Sequence, residues 1–173
     1  AAAAATAALM LSLSAGALAA SGLGSVTSMS GSEAAADKAG SVTVNTTMCA
    51  LELDDAGKIT AVSFDIAQNK IGFDAAGALT SELTGEHPTK KELGDAYGMK
   101  GATSIGKEWY EQAEALEDWC VGKTVEEVVT MPTYDKGDGH HTQVPDDVDL
   151  KSGCTIDAGN FLQALQKAAD NAK

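Results

Sequence analysis

The sequence predicts an α+β domain in which an antiparallel sheet, made of an N-terminal hairpin plus a late strand, is packed by two main helices. Three observations support this class. Apolar residues recur with a period of two on both sides of a turn between residues 42 and 67, and with a helical period over 104–120 and again over 157–168. Because the elements follow the order β-β, loop, α-α, β, α, the pattern favours α+β over a doubly wound sheet.

The hairpin is predicted from alternation and from its turn. Val42 and Val44 alternate with polar residues, and the Asp-Asp-Ala-Gly segment at 54–57 is a turn signal ahead of a second strand at 58–67. Three apolar residues of that second strand share one face: Val62, Phe64 and Ile66. The hairpin is therefore half-buried, and one of its faces needs a cover.

A helix is predicted over 104–120, because four apolar residues recur there at spacings of four, three and four: Trp109, Ala113, Leu116 and Cys120. Gly122 follows at the position typical of a helix C-terminus. Thr124 and Glu127 form a capping-box pattern, which predicts a short helix over 125–130.

The C-terminal part is expected to contain a loop, a strand and a helix. Residues 133–152 are polar and rich in glycine, which is typical of a long exposed loop. Cys-Thr-Ile at 154–156 predicts the late strand, and Asp157 is the expected cap of a terminal helix. The inward face of that helix carries Phe161, Leu162, Leu165 and Ala168.

The first forty residues differ from the rest in composition. An uncharged apolar stretch with a small-x-small pattern at Ala17-Leu18-Ala19 predicts a cleaved signal peptide at 1–19, with an uncleaved membrane anchor as the alternative. Residues 20–40, which are rich in Ser, Gly and Ala, predict a flexible linker, and 41–173 a single domain. We therefore expect a secreted or cell-surface protein that meets the membrane only during export.

Charge and cysteine content narrow the partners and the chemistry. The net charge is -13, and all twelve basic residues are lysine, so the guanidinium groups favoured at phosphate and nucleic-acid sites are absent and a nucleic-acid partner is not expected. Cys49, Cys120 and Cys154 allow one internal disulfide at most. The favoured interpretation is three small buried apolar side chains.

The first candidate site is the segment Lys-Gly-Ala-Thr-Ser at 100–104, at the predicted start of the main helix. Small residues let a ligand approach the backbone, and exposed amides at a helix N-terminus attract phosphate. From the spacing alone, however, the favoured interpretation is that Thr103 or Ser104 serves as an ordinary helix cap.

This segment and the hairpin carry a resemblance. Asp-Ala-Gly-Lys-Ile-Thr-Ala-Val at 55–62, followed later by Gly-Ala-Thr at 101–103, resembles the small FMN-binding domains of exported bacterial proteins, some of which carry flavin on the threonine through a phosphoester. The run Leu-Gly-Asp-Ala-Tyr-Gly-Met-Lys at 93–100 is also similar to exported proteins of gut Gram-positive bacteria, a likeness that implies no activity.

The resemblance implies a cofactor site and a role. FMN would be bound by Gly101, Ala102, Thr103 and Ser104, with Tyr97 and Tyr110 available to stack on its ring. The function implied is extracytoplasmic electron transfer with an unknown redox partner protein. The alternative function is a non-enzymatic exported binding or structural module without a cofactor.

The second candidate site is acidic. The loop residues Asp135, Asp138, His140, His141, Asp146, Asp147 and Asp149 carry groups that coordinate cations. Their spacing does not match an EF-hand, so a solvated acidic loop is favoured over a metal site. No Gly-x-Ser-x-Gly motif or Cys-His arrangement predicts a catalytic residue, and we expect a carrier or binding domain rather than a catalyst.

Overall fold

The computed structural model describes residues 20–173 and has the predicted α+β class. The leader predicted at 1–19 lies outside these residues. The strands are β1 (Ala20–Ser32), β2 (Gly40–Leu53), β3 (Ile59–Phe73), β4 (Thr133–Tyr134) and β5 (Val144–Pro145). The helices are α1 (Lys90–Leu93), a 3₁₀ turn at Gly94–Tyr97, α2 (Trp109–Cys120), α3 (Val125–Val129) and α4 (Gly159–Asp170).

The predicted hairpin is confirmed as β2 and β3, and β3 continues six residues further than expected. The two strands pair antiparallel, with Cys49 opposite Phe64. At the turn, the side chain of Asp54 accepts hydrogen bonds from the amides of Ala56 and Lys58, and Gly57 has the positive φ of 74° that this turn needs. Local turn chemistry therefore sets the register of the hairpin.

The third strand of the main sheet is not the expected one. The linker predicted at 20–40 is wrong over Ala20–Ser32, because this segment forms β1 and pairs with β2 along its whole length, giving the order β1-β2-β3. The late strand predicted at 154–156 does not form. That segment instead packs irregularly ahead of α4, where Cys154 and Ile156 are buried.

Helix α2 begins at Trp109, five residues later than predicted, and its N-cap is Glu108. The cap predicted at Thr103 or Ser104 is therefore wrong, for the physical reason that Glu108 and Glu111 form a capping box at the real start of the helix. The capping box of Thr124 with Glu127 and the position of Gly122 are confirmed. The long loop at 133–152 contains β4 and β5, and Val144 and Leu150 are buried.

The core lies between one face of the main sheet and helices α2 and α4. The predicted inward residues of both helices are buried in it, and Phe64 of β3 packs on Phe161 of α4 with ring centroids 5.0 Å apart. None of the helices between residues 20 and 173 has the length and apolar character that crossing a membrane requires.

One polar atom in this core has no partner. The hydroxyl of Thr47, on β2, is fully buried and makes no hydrogen bond among the residues described. Because a buried hydroxyl without a partner costs free energy, we expect Thr47→Val to raise the free energy of unfolding by about 1 kcal/mol. Urea denaturation measures this, with the exposed Thr60→Val on β3 as the control; a lower midpoint for Thr47→Val would mean that the hydroxyl has a partner in solution.

Candidate functional site

The segment predicted to bind phosphate leads into α2, and a carboxylate of the chain already occupies amides beside it. Glu108, which is buried, accepts hydrogen bonds from the backbone amides of Met99 at 2.7 Å and Lys100 at 2.9 Å. Its own amide donates to the side chain of Glu111. Backbone amides that could hold an anion therefore bond a carboxylate of the same chain.

Thr103 belongs to a hydrogen-bond network with Gln112 and Thr155. The buried Gln112 amide nitrogen donates to the carbonyl of Lys107 and to Thr103 Oγ1, and its oxygen accepts from the amide and the hydroxyl of Thr155. The hydroxyls of Thr103 and Thr155 lie 3.4 Å apart. Gln112 thus joins α2 to the turn before it and to the segment after β5.

The structure does not bring the six predicted cofactor residues into one cavity. Gly101 and Ala102 are exposed, while Ser104 lines a shallow groove with Tyr134 and Thr155. The Tyr110 hydroxyl donates a hydrogen bond to the Asp95 carboxylate, and this bond raises the pKa of Tyr110 above its ordinary value.

Tyr97 belongs to a different cavity, where its ring packs edge-on against Trp109 at 6.4 Å. The residues as arranged do not fit a flavin attached at Thr103. A phosphoester there would add a dianion beside the buried Glu108 carboxylate, and the Thr103 hydroxyl already interacts with two side chains.

The cavity beside Tyr97, which we call the Lys90 cavity, is open on one side and has a volume of about 290 Å³ between the sheet, α2 and the start of α4. The side chain of Lys90 enters it from the first residue of α1. Its ammonium lies 4.8 Å from the centroid of the Tyr97 ring and 5.3 Å from that of Trp109. Phe161 extends the aromatic wall, with its ring 6.0 Å from that of Trp109.

Lys90 is 9% exposed. Among residues 20–173, no carboxylate forms a salt bridge with its ammonium and no acceptor forms a hydrogen bond with it. Buried lysines are rare unless they are paired, and the two aromatic faces stabilise this one only in part. A positive charge without a counter-ion therefore faces a cavity.

One polar group of the Lys90 cavity is held by backbone contacts. The carboxylate of Asp157 accepts hydrogen bonds from the amides of Gln143 and Gly159, both at 2.9 Å. The other polar residues that line the cavity are Asn45, His140, His141 and Asn160. Sequence analysis missed this site because Lys90 reads as a surface lysine, and only the tertiary fold buries it.

The acidic loop satisfies its own hydrogen-bonding groups. Asp138 accepts from the backbone amides of His140 and His141 and from the His141 ring, and these bonds hold its pKa well below the usual range. Within residues 20–173, no three histidine, cysteine, aspartate or glutamate side chains converge as metal ligands would.

The three cysteines are free and buried, as the favoured interpretation predicted. Burial raises the pKa of Cys49 and of Cys120 to about 12 and that of Cys154 to about 11, and the nearby Glu117 adds to the effect at Cys49. Reactive thiols need a lowered pKa, so these side chains are structural.

We expect the thiols to react with Ellman's reagent at pH 8 only after urea unfolds the chain. The folded pKa values lie above the unfolded value of 9.0, so the folded state binds more protons above that pH. Stability should then fall above pH 9 by at most about 1.4 kcal/mol per pH unit for each thiol. Rapid labelling of the native protein at pH 8 would contradict this.

Comparison with known proteins gives one partial match. The chain is 38% identical over 96 residues to a chlorophenol reductase of Desulfitobacterium hafniense, and the alignment covers 49% of this chain and 29% of the relative. The chain thus spans less than a third of the length of that relative. No protein-family model matches the chain. No solved structure matches it.

Proposed function

We propose that this chain is an extracytoplasmic, non-enzymatic binding domain that holds a small anionic molecule in the Lys90 cavity. The observation that carries the proposal is the ammonium of Lys90, a buried residue, which faces this cavity without a carboxylate partner. An anionic ligand would supply the missing counter-charge, and the partial burial of Lys90 strengthens such a pair relative to one at the open surface.

The experiment is a thermal-shift and calorimetric screen of the full chain at pH 7. The panel contains acetate, inorganic phosphate, benzoate, a chlorophenol, and neutral compounds of matching size. The chlorophenol is included because the similar protein of Desulfitobacterium is named a chlorophenol reductase. A ligand that binds only the folded state raises its melting temperature. We expect at least one anion to do so and the neutral compounds to do so less; no shift with any anion would overturn the proposal.

Export is the second part of the proposal. It is supported by the uncharged leader pattern at 1–19, which carries the small-x-small pattern Ala17-Leu18-Ala19. N-terminal sequencing of the protein recovered outside the cytoplasm of a Gram-positive host should give Ala20 first, and a chain that retains its leader there would contradict the proposal.

Flavin binding is the second candidate function, favoured by the resemblance at 101–103 and by a relative that is named a reductase. Flavin would supply redox chemistry, and the chain would hold and orient it. Because the Thr103 hydroxyl already interacts with two side chains, the flavin would be held without a covalent bond, so protein made in its native host should show flavin absorbance or bind free FMN in a titration. A colourless protein that does not bind FMN would exclude this candidate.

A further inference from the structure

We infer that the ligand of the Lys90 cavity is a single-ring aromatic compound that carries one anionic oxygen group, a carboxylate or a phenolate. This inference rests on the proposed function and narrows it to a substrate class. Three features of the cavity lead to it: its charges, its walls and its volume.

The charges favour one negative group. The Lys90 ammonium is the unpaired cation, whereas the Asp157 carboxylate, which also lines the cavity, already accepts hydrogen bonds from two backbone amides. A monoanion can contact the ammonium and remain apart from Asp157. A dianion such as phosphate would bring twice the charge into a cavity that also contains this carboxylate, and like charges repel each other.

The walls favour a flat apolar body. The rings of Tyr97, Trp109 and Phe161 follow one another around the cavity, with neighbouring centroids 6.4 and 6.0 Å apart. Ile66 and Met99 add aliphatic surface. Aromatic side chains in such arrangements contact a further ring edge-to-face or in an offset stack.

The volume limits the ligand to one ring. The cavity of about 290 Å³ lies just below the range of roughly 300–1,000 Å³ found for small-molecule sites. A dry cavity of about 150 Å³ already takes up benzene, so a substituted ring with its anionic group fits. The tricyclic ring of a flavin with its ribityl phosphate exceeds this space.

In this inference the Lys90 ammonium is the group that makes the cavity prefer an anion. The test therefore removes that positive charge and changes little else. Lys90→Met keeps the length of the side chain and its contact with the rings of Tyr97 and Trp109. The control is Lys70→Met, which removes one lysine charge from an exposed position on β3 outside the cavity. Urea midpoints establish that both variants are folded.

The full chain is titrated with five compounds: benzoate, 4-nitrophenolate, cyclohexanecarboxylate, benzyl alcohol and inorganic phosphate. Binding is followed by calorimetry and by tryptophan fluorescence, because Trp109 lines the cavity. We expect one or both aromatic anions to bind, and which of the two binds tighter identifies the anionic group. Cyclohexanecarboxylate and benzyl alcohol should bind at least tenfold more weakly, and phosphate should not bind. Lys90→Met should lose at least tenfold in affinity for the aromatic anion, and Lys70→Met should bind it as the parent does.

The outcomes separate the two proposals. If phosphate or cyclohexanecarboxylate binds as tightly as the aromatic anions and depends on Lys90, the proposed function stands and the aromatic class is wrong. If Lys90→Met binds the aromatic anion as the parent does, the cavity is not the site and both fail. If no anion binds, the proposed function fails, and the inference fails with it.

Discussion

Gly24→Ala should lower the free energy of unfolding by about 3 kcal/mol or more, although it adds a single methyl group. Gly24 lies in the middle of β1, on the face that α4 covers. A Cβ atom there would stand 2.5 Å from the backbone nitrogen of Ala168 and 3.0 Å from Lys167 Cβ, and would overlap the carbonyl oxygen of Ala164. These are mostly backbone atoms of a regular helix, so α4 would have to move away from the sheet.

The effect is large because the β1–α4 contact is continuous. The Lys167 ammonium donates to the carbonyl of Ser25, and the Asn171 side-chain amide donates to that of Leu23. The backbones of Ser21 and Lys173 donate hydrogen bonds to each other. A displaced helix would lose these bonds together with part of the core, so the destabilisation exceeds the clash itself.

Equilibrium urea denaturation, followed by far-ultraviolet circular dichroism, measures this effect. The control is Gly101→Ala, because Gly101 is exposed and a Cβ atom there meets nothing within 4 Å. The control should stay within about 0.5 kcal/mol of the parent. Equal midpoints for the two variants would mean that β1 does not pack under α4 in solution.

The same glycines explain why β1 could not be predicted from the sequence. A strand is recognised by alternating apolar side chains, but the inward positions of β1 include Gly22 and Gly24, which have no side chain to alternate. On the outward face, Leu23 is 73% exposed, and the outward positions two residues before and after it are serines. The composition that lets α4 approach closely is the same composition that is typical of a linker.

Elements whose signals are local were predicted well. The β2–β3 turn needs only Asp54 and Gly57, and α3 needs only the pair Thr124 and Glu127. The start of α2 was placed wrongly, because two adjacent segments both offered a cap. Glu108 is the N-cap because its carboxylate also accepts hydrogen bonds from the backbone amides of Met99 and Lys100. These contacts depend on the fold of the preceding turn.

The candidate site needed tertiary structure almost entirely. Tyr97 was selected from the sequence and does line the Lys90 cavity, but the residues grouped with it at 101–104 do not. The cavity combines β2, β3, α1, α2, the loop before β5 and the start of α4, and its lining residues extend from Asn45 to Phe161 in the sequence. Lys90 is buried by tertiary contacts, and a buried ammonium is stabilised by an anion in a way that a solvated one is not. No local sequence pattern indicates that this lysine is buried.

Glu117→Ala is the second change expected to have a large effect, a loss of about 3 kcal/mol from the free energy of unfolding. Glu117 Oε1 accepts both the backbone amide of Phe64, on the free edge of β3, and the ammonium of Lys91 at 2.6 Å. The Glu117 and Lys91 side chains are only 13% and 24% exposed. Removing the carboxylate leaves the edge amide of Phe64 without its acceptor and the half-buried Lys91 ammonium without its counter-charge, with only the Ser63 hydroxyl at 3.2 Å to accept from it.

A double-mutant cycle with Lys91→Met separates the two contributions. Lys91→Met should cost less than Glu117→Ala, because Glu117 can still accept the Phe64 amide. Glu117→Gln should also cost less, since its amide oxygen retains that bond while the charge is lost. Urea midpoints at low and high salt give the coupling energy, and a half-buried pair should keep most of it at high salt. If Glu117→Ala and Lys91→Met are equally mild, the carboxylate does not hold the edge of β3, and α2 is anchored to the sheet by apolar packing alone.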